Sequence, residues 1–219
     1  MKLFRLMTRY PIAVALFLVL APATPSRASD FAQKIRDISP DGQFAMLLSY
    51  DEELNKEFMG SDMDTPDRIA PGAMKQVDLV ALPSKKIVTT LRDGEALDGN
   101  TNIALIWSPD SKWFAFYSGH TRTGDTEVYR RSGSEFVLAL QTDDAQLKSE
   151  KGLKDAVVKN EYVRPIHWTK PGVLVLRHHM IFRGDKGDAT FELTAGVDPK
   201  SGKFLILARK RIRSKTENN

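Results

Sequence analysis

The chain has no cysteine among its 219 residues. That excludes disulfides, thiolate metal sites, a cysteine nucleophile and a lipid-modified N-terminal cysteine. Histidine is scarce, with four: His120, His167, His178 and His179. No Gly-x-Ser-x-Gly turn is present, which excludes the nucleophile elbow of an α/β-hydrolase. No glycine-rich loop ends in Lys-Ser or Lys-Thr, and the two Asp-Gly turns within 92–100 read as a linker rather than a phosphate loop. Long apolar runs are missing too. The longest such stretch, Ile12 to Ala21, is half of the ~20 residues that a spanning helix needs.

That short run has a meaning of its own. Lys2, Arg5 and Arg9 precede it, and "PATPSRASD" with its small Ser26 and Ala28 follows. Basic region, short apolar core and small residues in that order read as a secretory signal, with cleavage expected at Ala28/Ser29. The expected location is therefore periplasmic or secreted, with no membrane span in the mature chain. The charge excess is equally local. The whole chain carries +4 from 32 basic and 28 acidic residues. Lys2, Arg5, Arg9 and Arg27 lie in the first 28 residues, where no acidic residue stands, so the remainder is balanced. The basic balance is then no argument for nucleic acid, and none is expected as a partner. The run "ARKRIRSK" at 208–215 reads as the start of a solvated tail over 210–219.

What the chain does have is a repeat. "DISPDGQFAMLLSY" (37–50), "IWSPDSKWFAFYSG" (106–119) and "HWTKPGVLVLRHH" (167–179) each place a tight turn before a dense apolar strand. Proline pre-sets its own φ, and Asp41 and Asp110 are the side chains expected to bond the turn's own backbone amides. Near-continuous apolar strands are those buried on both faces. Each turn-and-strand is followed by a hairpin pattern, at 76–91, 126–140 and 190–207. With one strand before each turn, every unit supplies four strands, the count of a propeller blade. A β-sandwich with coincidental turns is the competing reading. The expected fold is all-β: about three four-stranded antiparallel blades over 35–92, 102–140 and 162–209, as an incomplete propeller or an open sheet. Two insertions interrupt it. Residues 51–73 read as a long acidic loop, and 141–160 as a short helical insertion capped by Asp143 or Asp144.

The stretch "WSPDSKWFAFYSGHTRTGDTEVYRRSGSEF" resembles the WD40-like repeat of the periplasmic TolB family. In that family an SPDG turn opens the second strand, and a Ser, Arg and Gly loop leads to an acidic-apolar-Tyr third strand. Ser118, Arg122, Gly124, Asp125, Glu127 and Tyr129 stand in the matching places. The likeness is good over about 35 residues, fair at Ser39 to Tyr50 and poor after Trp168. It departs in number, because closed propellers have four or more blades. Either the ring is incomplete, another chain completes it, or the units form an open twisted sheet. The resemblance implies a protein partner in the cell envelope, presented to blade-edge loops.

Candidate chemistry is thin. His178 and His179 are adjacent, so on a strand they face opposite ways and do not share a metal. Ser49, Ser118 and His178 align at one strand-end position, which makes His178 a candidate for a shared cavity. Ser118, His120 and Asp125 are close in sequence, but a triad is defined by spatial geometry, and a turn role suits them better. "DMDTPD" lacks the glycine and downstream Glu of a calcium loop. No cofactor or metal is expected. The binding candidates are His120, Arg122 and His178. The expected function is a non-enzymatic binding or scaffold protein of the cell envelope, with self-association completing the propeller as one form of partnership. The alternative is an envelope hydrolase or metal-dependent enzyme using the acidic 51–73 loop and His178.

Overall fold

The turns are built alike down to single hydrogen bonds. In the first, the Ser39 hydroxyl donates to Asp41 Oδ1 (2.6 Å) and accepts from the Phe44 amide (3.0 Å), while Asp41 Oδ1 also accepts the Gln43 amide (3.1 Å). In the second, Ser108 donates to Asp110 and accepts the Trp113 amide (3.2 Å), and Asp110 accepts the Lys112 amide (3.1 Å). A backbone bond closes each, Ser39 N–H to Phe44 O and Ser108 N–H to Trp113 O, both 2.9 Å. The fourth turn residue has a left-handed backbone, Gly42 at φ 70° and Ser111 at φ 56°. Glycine meets that demand without strain. Ser111 earns its place otherwise: its hydroxyl accepts the Asp41 amide at 3.0 Å and ties the second turn to the first.

These turns sit in three four-stranded antiparallel meanders. The structure, a computed structural model, describes residues 31–59, 69–70, 72–97, 102–142, 157–184 and 187–212. The first blade is β1 (Ala32–Arg36), β2 (Phe44–Tyr50), β3 (Met74–Ala81) and β4 (Lys86–Arg92). The second is β5 (Asn102–Trp107), β6 (Trp113–Gly119), β7 (Thr123–Ser132) and β8 (Glu135–Gln141). The third is β9 (Val158–Lys170), β10 (Val173–Phe182), β11 (Asp188–Val197) and β12 (Phe204–Ile212). A two-residue parallel bridge, Thr123 with Glu161 and Gly124 with Tyr162, joins the second blade to the third. The all-β expectation holds, and β2, β6 and β10 take the second place in successive blades with none paired to another.

Faces of neighbouring blades bury each other. Phe44, Met46, Leu48, Val77 and Leu79 of the first blade cluster with Ile103, Leu105, Phe114, Phe116 and Phe136 of the second. Trp113, Ala115 and Val128 on the other face of the second blade cluster with Leu174, Leu176, Phe191 and Leu193 of the third. A repeated tie fixes the stacking. Trp107 Nε1 donates to Asp37 O (2.7 Å), and Trp168 Nε1 donates to Ile106 O (3.2 Å). Each tryptophan directly precedes its turn, and each acceptor lies two residues before the turn serine of the preceding blade. Tryptophan buries a large apolar body while its one N–H finds a partner, which suits a seam between sheets.

Two local expectations change. The segment read as a loop at 51–73 begins with a helix, α1 (Glu52–Met59). Asp51 caps it, accepting the Leu54 amide at 3.0 Å, and Glu52 and Glu53 occupy the first turn, where the helix dipole favours acids. Residues 60–68 and 71 lie outside the described residues, as do the signal at 1–28, the tail at 213–219 and residues 143–156 of the helical insertion expected over 141–160; at its described ends Gln141 closes β8 and Val158 opens β9. β12 runs through Lys210, Arg211 and Ile212, so the start of the expected tail is strand. Among the described residues no helix is long and apolar enough to cross a membrane.

Candidate functional site

Three of the residues that carry the repeat resemblance, Gly124, Glu127 and Tyr129, are packing devices. Gly119 and Gly124 face each other across the β6–β7 hairpin. The Tyr117 ring lies over both: a Cβ on Gly124 would fall 2.1 Å from the Tyr117 hydroxyl oxygen, and one on Gly119 2.2 Å from it. The two glycines are the space the tyrosine occupies. Glu127 receives a two-pronged ion pair from Arg92 of the first blade, at 3.0 and 2.9 Å, and the Tyr129 hydroxyl donates to it at 2.8 Å. Burial and the neighbouring Glu127 carboxylate both push the Tyr129 phenol well above its ordinary value. The acidic-apolar-Tyr pattern thus serves the seam between blades one and two. Asp41 and Asp110 do what the sequence suggested, holding turn amides. Arg131 adds an ion pair to Asp41 at 3.3 Å.

The outer face of the third blade is different in kind. In the first two blades the positions facing the next blade are apolar or aromatic: Met46 and Leu48, then Ala115 and Tyr117. The equivalent offsets along β10 hold Val175 and Arg177, and two residues on stands His179. Leu48 and Tyr117 are buried, whereas Arg177 is exposed. Register sets its neighbours. Arg177 lies opposite Arg164 of β9 and Glu192 of β11, and Glu192 lies opposite Lys210 of β12. His179 lies opposite Tyr162 and Thr190.

A cavity of about 1020 Å³ opens on this face, lined by Tyr162, Arg164, Arg177, His179, Asp188 and Arg211 with Ile181, Ala189, Thr190 and Ile212. Its size is at the upper end of ligand pockets. The His179 ring stacks near Tyr162 (centroids 6.5 Å, 17° between planes), and its Nδ1 lies 2.9 Å from Thr190 Oγ1 and 3.6 Å from Asp188 Oδ2. The Arg164 guanidinium sits over the Tyr162 and Tyr117 rings, at 5.7 and 5.1 Å, and its Nε donates to the Tyr117 hydroxyl at 3.1 Å. Burial raises the pKa of that phenol, and Arg164 opposes the rise. The wall combines planar cations, two rings and short aliphatic side chains, which suits recognition of an anionic group beside an apolar one.

The sequence candidates fall around this cavity rather than in it. His178 is fully buried on the opposite face of β10, against Phe191 (5.9 Å between centroids), and its Nε2 meets Glu161 Oε1 at 2.6 Å. This contact lowers the Glu161 pKa, with burial opposing and Arg209 helping. Nδ1 of His178 is buried without a hydrogen-bond partner among the described residues. His178 therefore does not line this cavity; it is an inward anchor, while its neighbour His179 lines it. His120 and Arg122 are exposed on the β6–β7 hairpin. That hairpin contacts β9 through its backbone: Arg122 O accepts the Glu161 amide at 2.9 Å, and Thr121 O accepts the Tyr162 hydroxyl. Arg164, Arg177 and His179 were missed. The signal that could have found them is the third repeat's own strand, "VLVLRHHMIF", where the apolar run breaks at the offset that holds Leu48 and Tyr117.

No family model matches the chain, and no curated protein matches it. A solved prolyl endopeptidase is similar to it at 15% identity with a TM-score of 0.40, over 82% of this chain. The chain spans 21% of that enzyme's length.

Proposed function

We propose that this chain is an exported, non-enzymatic binding or scaffold protein of the cell envelope, built of repeats similar to those of TolB-like propellers. One observation carries the reading: the third blade turns an open, cation-lined cavity outward at the place where its sister blades turn an apolar seam inward. The equivalent Leu48 and Tyr117 are buried against a neighbouring blade, whereas Arg177 is exposed. The repeat motif supports the same view. Its glycines, acid and tyrosine are engaged in packing, whereas the outer face of the third blade and the hairpin carrying His120 and Arg122 are exposed.

Two measurements test this. Native protein should lack residues 1–28, begin near Ser29 by mass spectrometry and fractionate outside the cytoplasm. A partner co-purifying from envelope extract should be lost on Arg177→Glu while the thermal midpoint stays within about 2 °C. A retained leader with cytoplasmic location, or a partner that binds Arg177→Glu as well as wild type, refutes the reading.

A further inference from the structure

The nature of the ligand can be read from how the cations are spread. The row across the face is Arg164, Arg177, Glu192, Lys210, three cations to one anion, and Arg211 adds a fourth cation at the cavity wall. Arg164 and Arg177 are directly opposite each other in the ladder. Like charges so placed are destabilising in a sheet; Glu192 opposite Arg177 and the tyrosine rings under Arg164 offset part of that cost, and a carboxylate ligand would offset the rest. Asp188 is the acid among the cavity's lining residues, and its Oδ2 lies 3.6 Å from His179 Nδ1.

Spacing separates one class of anion from another. β10 and β12 are two strands apart, so Arg177 and Lys210 spring from backbones about 10 Å apart, and Arg177, His179 and Ile181 follow one another along β10 at about 7 Å. A single phosphate is too small to span the row from Arg164 to Lys210. An extended acidic peptide repeats its side chains on one face at the same ~7 Å. Its carboxylates match the planar fork of arginine. Building on the binding reading above, we infer that the cavity on the third blade receives an extended, glutamate- or aspartate-rich segment of a partner protein, with Arg177 and Arg164 pairing its carboxylates.

The test uses the folded chain from Ser29 onward and a fluorescein-labelled ten-residue peptide of alternating Glu and Val. The expected result is saturable binding that weakens at least tenfold between 50 and about 300 mM salt, as exposed ion pairs are screened. Arg177→Glu should weaken it at least tenfold further with an unchanged far-UV spectrum and melting midpoint. Arg177→Lys should bind more weakly than wild type and better than Arg177→Glu. The same peptide with Lys for Glu should not bind. No saturable binding of the Glu-Val peptide, equal binding by Arg177→Glu, or preferential binding of phosphatidylglycerol vesicles or inorganic phosphate would each overturn the inference. A native envelope partner still lost on Arg177→Glu alongside such a result would sink the acidic-peptide assignment alone. A partner retained by Arg177→Glu would sink the binding surface itself.

Discussion

Replacing Trp113 with alanine should unfold this protein at a markedly lower temperature. Trp113 opens β6 directly after the second turn and is 8% exposed. It packs 5.0 Å from Phe204 of β12, lies under the Arg130 guanidinium (5.4 Å), and its indole edge is the nearest neighbour to Gly172 in the third turn (3.7 Å from a Cβ placed there). One side chain therefore joins the second turn, the third turn and the outermost strand of the last blade. Truncating a buried Trp costs about 3 to 5 kcal/mol through lost burial and the residual cavity. For a domain of this size each kcal/mol shifts the midpoint by about 2 to 4 °C, so a fall of about 6 to 20 °C is expected. Total stability is typically only about 5 to 15 kcal/mol, and the loss should also lower the soluble yield. Circular dichroism melts of the wild type, Trp113→Ala and Trp113→Phe make the measurement. The phenylalanine variant should recover part of the loss, because an aromatic ring can still meet Phe204. A midpoint within about 2 °C of wild type for the alanine variant would show that the indole is not part of the core and that the blade seam lies elsewhere.

Arg92→Ala should destabilise by about 3 to 5 kcal/mol in denaturant titration, because it strands the Glu127 carboxylate between two blades; Arg92→Met with Glu127→Met should be less harmful than Arg92→Ala alone. Gly124→Ala should cost about 1 to 3 kcal/mol by driving a methyl into the Tyr117 ring, and much less in a Tyr117→Ala background, a coupling that a double-mutant cycle reads directly. Stability should fall as the pH drops below about 4.5. The contact with His178 depresses the Glu161 pKa in the folded state, so its contribution is present above the unfolded value and is lost as pH falls through the lower folded one. Glu161→Gln should remove that component of the acid dependence in melts between pH 3 and 6, and an acid limb as steep as wild type would refute it.

The repeat was legible because it is local. Ser39, Asp41 and Gly42, or Ser108, Asp110 and Ser111, satisfy one another within five residues, so the turn is written in a short string of side chains with a mechanism. The apolar strands after the turns declare their two-sided burial in the same way. The contacts that decide roles are not local. Arg92 and Glu127 are 35 residues apart, Trp107 and Asp37 are 70 apart, and nothing in either segment names the other. Gly124 could be read as a turn residue; that it makes room for Tyr117 depends on the register of β6 and β7. The helix at Glu52–Met59 was masked by the Met, Gly and Pro that follow it, although Asp51 with two glutamates behind it is a cap signal. His178 drew attention as a histidine, and its alternation partner Arg177 did not, although one residue of register separates a buried side chain from an exposed one.

Those same offsets bear on how the blades end. The tie that joins blade to blade needs a tryptophan just before the turn, and Trp107 and Trp168 supply it. The corresponding position in the first blade is Ile38, which is 58% exposed and has no N–H on its side chain to donate. At the other end the backbone position equivalent to Asp37 and Ile106 is His167, on an exposed stretch of β9. A second copy that set its first blade on the third blade of this one would therefore lack the indole tie. It would also have to desolvate Arg164, Arg177 and Lys210 against a face that offers no tryptophan to the seam, and buried charges without partners are costly. Repeat arrays commonly finish on a terminal unit whose outer face is polar. The third blade has that character, and its departure from the repeat is strongest where the seam residues of its sisters are most apolar. The charges on it are thus better matched to the acidic segment inferred above than to a fourth sheet, and the loss of repeat resemblance after Trp168 coincides with the change of that face from apolar to charged.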